Sequence, residues 1–126
     1  MTDKNLVDKA TEAMAHAYAP YSGYRVGAAV LGGSGGVYTG CNVENRSYGL
    51  TICAERNAVF AAVAAGEKSI ARLAVVADGT PAPLPCGACL QVMDEFGVEA
   101  VVVGRPGGAF ETYAFEELLP KPFGRE

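Results

Sequence analysis

The sequence predicts an α/β fold: a three-layer αβα sandwich around a mixed five-stranded sheet. Three observations lead there. β-rich runs alternate with alanine-rich helical ones, and the helical segments fall before, between and after the strands, so they can cover both faces of a sheet. The last two β runs are joined by a connector too short for a parallel crossover, which makes them an antiparallel pair. A chain of 126 residues suits one core, and residues 1–126 are expected to form a single domain.

Taken in order, Leu6, Val7, Ala10, Met14, Ala17 and Tyr18 recur at helical spacing, with Thr2 and Asp3 as N-caps and Pro20 closing the segment. His16 lies about 200° around that helix from Met14, on the face of Asp8 and Glu12, and reads as a solvated side chain rather than a ligand. Tyr24 to Leu31 and Val37 to Asn42 read as two strands joined through Gly32-Gly33-Ser34-Gly35-Gly36, a hairpin turn. That run lacks the lysine and the spacing of a phosphate-cradling loop. A second helix is expected from Ala54 to Ala65, stopped by Gly66, and a strand from Ile70 to Val76. A third helix spans Gly87 to Phe96 with Gly97 as its stop. Strands Val98 to Val103 and Ala109 to Tyr113 follow, then one or two helical turns from Phe115 to Leu119.

Half the residues are hydrophobic and 19% are charged, a balance that excludes a disordered tail and favours a compact globule. The formal charge is −4 without a basic run, so a small-molecule partner is expected and nucleic acid is not. Neither an ~18-residue apolar run nor a signal-like N-terminus is visible, so no membrane partner and a cytoplasmic location are expected. Four cysteines in a reducing compartment point to metal ligands or reactive thiols before disulfides.

Three of them fall in two short motifs, Cys53-Ala54-Glu55 and Pro85-Cys86-Gly87-Ala88-Cys89, each at the start of an expected helix. Unpaired N–H groups and the helix dipole favour thiolate there, and a spacing of three lets Cys86 and Cys89 face one point. Three thiolates suit zinc and leave its fourth position for water, which zinc activates near neutral pH. Glu55 is placed to move protons without itself being a ligand. A metal ligand and glutamate ahead of Pro-Cys-x-x-Cys, in a three-cysteine variant, form the signature of zinc nucleobase deaminases. Arg56, beside Glu55, is the candidate to offset the excess negative charge, and Cys41 reads as a small buried strand residue.

At these residues the chain resembles the small zinc-dependent cytidine deaminases of pyrimidine salvage, in their homotetrameric branch. The resemblance also runs through Tyr18-Ala19-Pro20-Tyr21-Ser22, Val26-Gly27-Ala28-Ala29, Gly40-Cys41-Asn42-Val43-Glu44-Asn45, Gln91-Val92 and Glu117-Leu118-Leu119-Pro120. It implies a cytidine deaminase-like catalytic domain with one Zn2+ per subunit on Cys53, Cys86 and Cys89, and Glu55 as proton shuttle. It further implies that Asn42 and Glu44 hold the ribose, that the Ala54 backbone meets the base edge, and that Tyr24 packs on the base where relatives usually carry Phe. Phe123 and Tyr48 match positions that reach a neighbouring subunit's ligand, so shared active sites in a homotetramer are expected. Arg46 stands where relatives more often have a small residue, in a segment placed near the nucleoside's 5′ end across a subunit interface. Leu90 replaces the usual Arg after the last motif cysteine. The expected activity is hydrolytic deamination of cytidine and deoxycytidine to uridine and deoxyuridine. Arg46 motivates an alternative, a 5′-phosphorylated or base-modified cytosine nucleoside, and a non-catalytic zinc-stabilised module is the alternative from another class.

Overall fold

A computed structural model of the chain describes residues 1–124. Helix α1 (Asp3–Met14) starts at Thr2, whose side chain accepts from the Asn5 N–H while the Asn5 side chain accepts from the Thr2 N–H. It ends four residues earlier than the apolar spacing suggests. Tyr18 is instead drawn into backbone pairing, its N–H donating to Asn42 O and its carbonyl accepting from Glu44 N. His16 is exposed, as expected.

Strands β1 (Val26–Gly32) and β2 (Val37–Cys41) form the expected hairpin. After them come a short 3-10 turn (Tyr48–Leu50) that the sequence reading missed, α2 (Ala54–Ala64) and β3 (Ile70–Ala77). Next are α3 (Gly87–Glu95), β4 (Ala100–Gly104), β5 (Phe110–Ala114) and α4 (Phe115–Leu118). The sheet order is β2-β1-β3-β4-β5, with β3 and β4 parallel and every other pair antiparallel. The mixed sheet and the antiparallel final pair are therefore as read from the sequence.

Side chains alternate across the sheet with the period of two that strands impose. Ala29, Ala74, Val76 and Val102 face α1, where they meet Leu6, Val7, Ala10 and Met14. Ala28, Val30, Leu73, Val75 and Val101 face the opposite side, with Ala58, Val59 and Ala62 of α2 and Leu90 and Met93 of α3. Leu90 is thus a core residue. Two glycines let the layers close. A Cβ at Gly27 would lie 2.0 Å from Ala10 O on α1, and one at Gly40 would lie 2.4 Å from Ala58 N on α2. Cys41 is half-buried in β2 rather than fully buried, because β2 is an edge strand.

The register positions the site. Val26 pairs with Ala77 and Gly27 with Cys41, so the start of β1 and the ends of β2 and β3 share one edge. Helices α2 and α3 are the next α-helices along the chain after β2 and β3, and the residues that start them, Cys53 and Cys86, share one cavity with Val26 and Asn42 at this edge. Among the described residues, no helix is long and apolar enough to cross a membrane.

Candidate metal centre and active site

Cys53 is the N-cap of α2 and Cys86 the N-cap of α3, both with extended backbone, and neither side chain is used for capping. Their thiols are free to converge. The sulfurs of Cys53, Cys86 and Cys89 lie within 4.8 Å of one another, with Cys86 Sγ and Cys89 Sγ 3.5 Å apart. Arg56 Nη2 donates to Cys53 Sγ at 3.6 Å. The Cys53 thiol is held down to about 5 because its thiolate accepts from the Cys89 thiol and from Arg56, outweighing burial. Cys89, as the donor in that contact and buried, is pushed up. Negative charge is thus favoured at Cys53, on the side of the cluster that faces Arg56.

This donor set fits zinc. Three sulfurs supply soft ligands, and three thiolates around a divalent cation leave one net negative charge beside the guanidinium. Among the described residues Arg56 Nε is fully buried without a hydrogen-bond partner, so the guanidinium depends on the cluster for compensation.

Glu55, in the first turn of α2, is only 6% exposed and lines a cavity of about 550 Å³ with Cys53, Ala54 and Cys86. Burial pushes its carboxyl up to about 7, helped by the Cys53 thiolate and opposed by a backbone N–H and Arg56. Asn42, Glu44 and Tyr24 line the same cavity. The Asn42 amide is also a backbone clamp: Oδ1 accepts from Val26 N at 2.9 Å and Nδ2 donates to Tyr24 O at 2.8 Å. Glu44 Oε1 accepts from Tyr21 N and Ser22 N at 2.9 and 3.1 Å, and Oε2 accepts from the Ser22 hydroxyl. That hydroxyl, with the two N–H groups, holds the Glu44 carboxyl below its usual range.

Cys89 and Arg56 belong to the thiol cluster behind this lining, and three further expected residues lie away from both. Arg46 is exposed in a bend. Tyr48 is 74% exposed and packs edge-on against Tyr21, with ring centroids 5.8 Å apart. Phe123 is 89% exposed, although Gln91 pins its backbone, accepting from Phe123 N at 3.1 Å and donating to Phe123 O at 3.3 Å. Within one chain these side chains do not meet the cavity. Conversely, Ser22, Thr51 and the segment Thr80 to Leu84 line the cavity without having been singled out. Two prolines immediately upstream of Pro85-Cys86 were the available signal for that segment.

Residues 1–105 match the family model described as the cytidine and deoxycytidylate deaminase zinc-binding region. A cytidine deaminase of Sporosarcina psychrophila is 44% identical over 128 aligned positions, covering 100% of this chain and 94% of that protein. The crystal structure of cytidine deaminase from Burkholderia pseudomallei superposes with a TM-score of 0.90 at 46% identity, covering 98% of this chain and 100% of that one. That from Mycobacterium tuberculosis gives 0.85 at 43%, covering 99% and 100%. With its three-thiol cluster beside a buried glutamate, the chain belongs to the zinc-binding cytidine and deoxycytidylate deaminase family.

Proposed function

We propose that this chain hydrolytically deaminates cytidine and deoxycytidine to uridine and deoxyuridine with release of ammonia. The observation that carries the reading is a buried carboxyl, Glu55, on the wall of a cavity also lined by Cys53 and Cys86, two members of a cluster of three converging thiols. Cys53, Cys86 and Cys89 would hold zinc, which when bound would activate a water as the nucleophile. The remaining work belongs to the chain. Glu55, poised between its two protonation states, takes the water proton, delivers a proton to N3 and then protonates the departing amine. Its burial favours transfer over leakage to solvent. Arg56, donating to Cys53 Sγ, favours the thiolate there.

Glu44 is ionised and oriented by Ser22 and Tyr21 before any ligand arrives, which suits it to accept from ribose hydroxyls. Asn42 keeps one amide hydrogen and one lone pair for the same sugar. The exposure of Phe123 and Tyr48 outside their own chain's cavity supports sites completed by neighbouring copies in a homotetramer. A cytoplasmic role in pyrimidine salvage follows from this substrate choice. Arg46, exposed and away from its own chain's lining, bears on a phosphorylated substrate only through a neighbour's site.

The deciding experiment is a substrate panel with ammonia detection on protein of measured zinc content. Turnover of cytidine above its monophosphate supports the reading. Preference for the monophosphate, or no ammonia from zinc-loaded protein, overturns it.

A further inference from the structure

The cavity has two chemically distinct walls. Ser22, Asn42, Glu44, Thr51 and Glu55 make one polar, while Pro81, Ala82, Pro83 and Leu84 make the other apolar. The apolar wall is a segment with little to hold it. Pro81 and Pro83 have no N–H, and Leu84 N donates locally to Ala82 O at 2.9 Å. Its base is anchored where Arg25 meets Asp78, with Nε 3.0 Å from Oδ2. Among the described residues, the one hydrogen bond that reaches 79–84 from outside comes from Tyr24, whose hydroxyl donates to Pro81 O at 3.0 Å. The ring also lies against the segment's start, since a Cβ at Gly79 would be 3.1 Å from Tyr24 Cδ1. Tyr24 is in turn fixed from behind. Its N–H donates to Ser22 Oγ at 3.0 Å and its carbonyl accepts from Asn42 Nδ2.

A cytosine ring has a polar edge, O2, N3 and the amine, and an apolar edge, C5–C6. With C4 at Glu55 and the thiols and the sugar at the polar wall, C5–C6 is left for the apolar wall. We infer that Tyr24 is a specificity-determining positioning residue, whose hydroxyl straps the Pro81–Leu84 wall in place and so limits the size of substituents at C5 of the base. The inference rests on the deaminase reading for the orientation of the ring. Phe at this position keeps the aromatic face and loses only the strap.

The test compares cytidine with 5-methylcytidine in kcat and KM for the parent, Tyr24→Phe and Gly79→Ala. It also compares binding of the products uridine and 5-methyluridine by calorimetry, which needs no turnover. Losing the strap is expected to reduce discrimination against the 5-methyl compounds about fivefold, the equivalent of roughly 1 kcal/mol. The change should fall mainly in KM and in product affinity, with melting temperatures recorded alongside. Gly79→Ala, which forces ring and segment apart, should shift the ratio in the same direction and stands in if Tyr24→Phe folds poorly. Ratios unchanged in both variants, for substrates and products, overturn the inference while leaving the deaminase reading intact. Failure of that reading would appear instead as a zinc-loaded parent that releases no ammonia from cytidine.

Discussion

Glu55 and Arg56 are neighbours in sequence and opposites in task. Glu55 lies outside the cluster of three thiols, so Glu55→Ala should leave bound zinc at the parent level while kcat for cytidine falls by about 10²–10⁴. Zinc assay and ammonia release on one preparation check both halves, and parent-rate turnover refutes the proton-shuttle role. Arg56 acts through the ligands, donating to Cys53 Sγ. Removing it leaves the thiolates without their counter-charge, and Arg56→Ala is expected to weaken zinc binding about 10–100-fold in chelator competition. An unchanged affinity would make Arg56 a packing residue. The placement of both beside the thiols was legible in Cys53-Ala54-Glu55-Arg56, because adjacent residues at a helix start share one neighbourhood. The Asn42 clamp was not, since its partners Val26 and Tyr24 are 16 and 18 residues away.

At the scale of elements, α2 carries Cys53, Glu55 and Arg56 at one end and is tied down at the other. Just past Gly66, where φ is +103°, Glu67 accepts from Ser34 N at 3.1 Å, from the Ser34 hydroxyl, and from Tyr38 OH at 2.7 Å. The glycine turn between β1 and β2 is thus fastened to the segment after α2, and a Cβ at Gly32 would displace the Glu67 carboxyl from these bonds. These donors favour the carboxylate and lower its pKa in the folded state, Ser34 most. The resulting stability is fully present above the unfolded value of about 4.3 and is lost as pH falls through the lower folded value. Urea titrations of the parent and Glu67→Gln should show a constant parent advantage at neutral pH that shrinks as pH falls below about 4.3. A constant difference would mean that Glu67 does not titrate with folding. The glycine run itself read correctly as a turn, while its long-range anchor was beyond any local pattern.

For the whole molecule, Phe123 carries the clearest consequence. A large aromatic, 89% exposed while its backbone is pinned by Gln91, lies outside its own chain's cavity among the described residues. If it completes a neighbour's site, Phe123→Ala and Glu55→Ala should each be impaired alone, and unfolded together and reassembled, random mixing should restore about a quarter of the sites. Activity no higher than the average of the two separate variants would show each site to be built within one chain. The sequence by itself determined the alternation of helices and strands, the antiparallel last pair, the three cysteines that belong together and the glutamate beside them. Those are matters of periodicity and of spacing within one helical turn, where chain geometry allows little choice. Only the tertiary structure decided that the starts of α2 and α3 meet at one sheet edge, that Leu90 is core, and that the prolines upstream of Cys86 form a cavity wall strapped by Tyr24. Each of those depends on strand register and on contacts between residues far apart in the chain, which side-chain packing sets and local sequence does not.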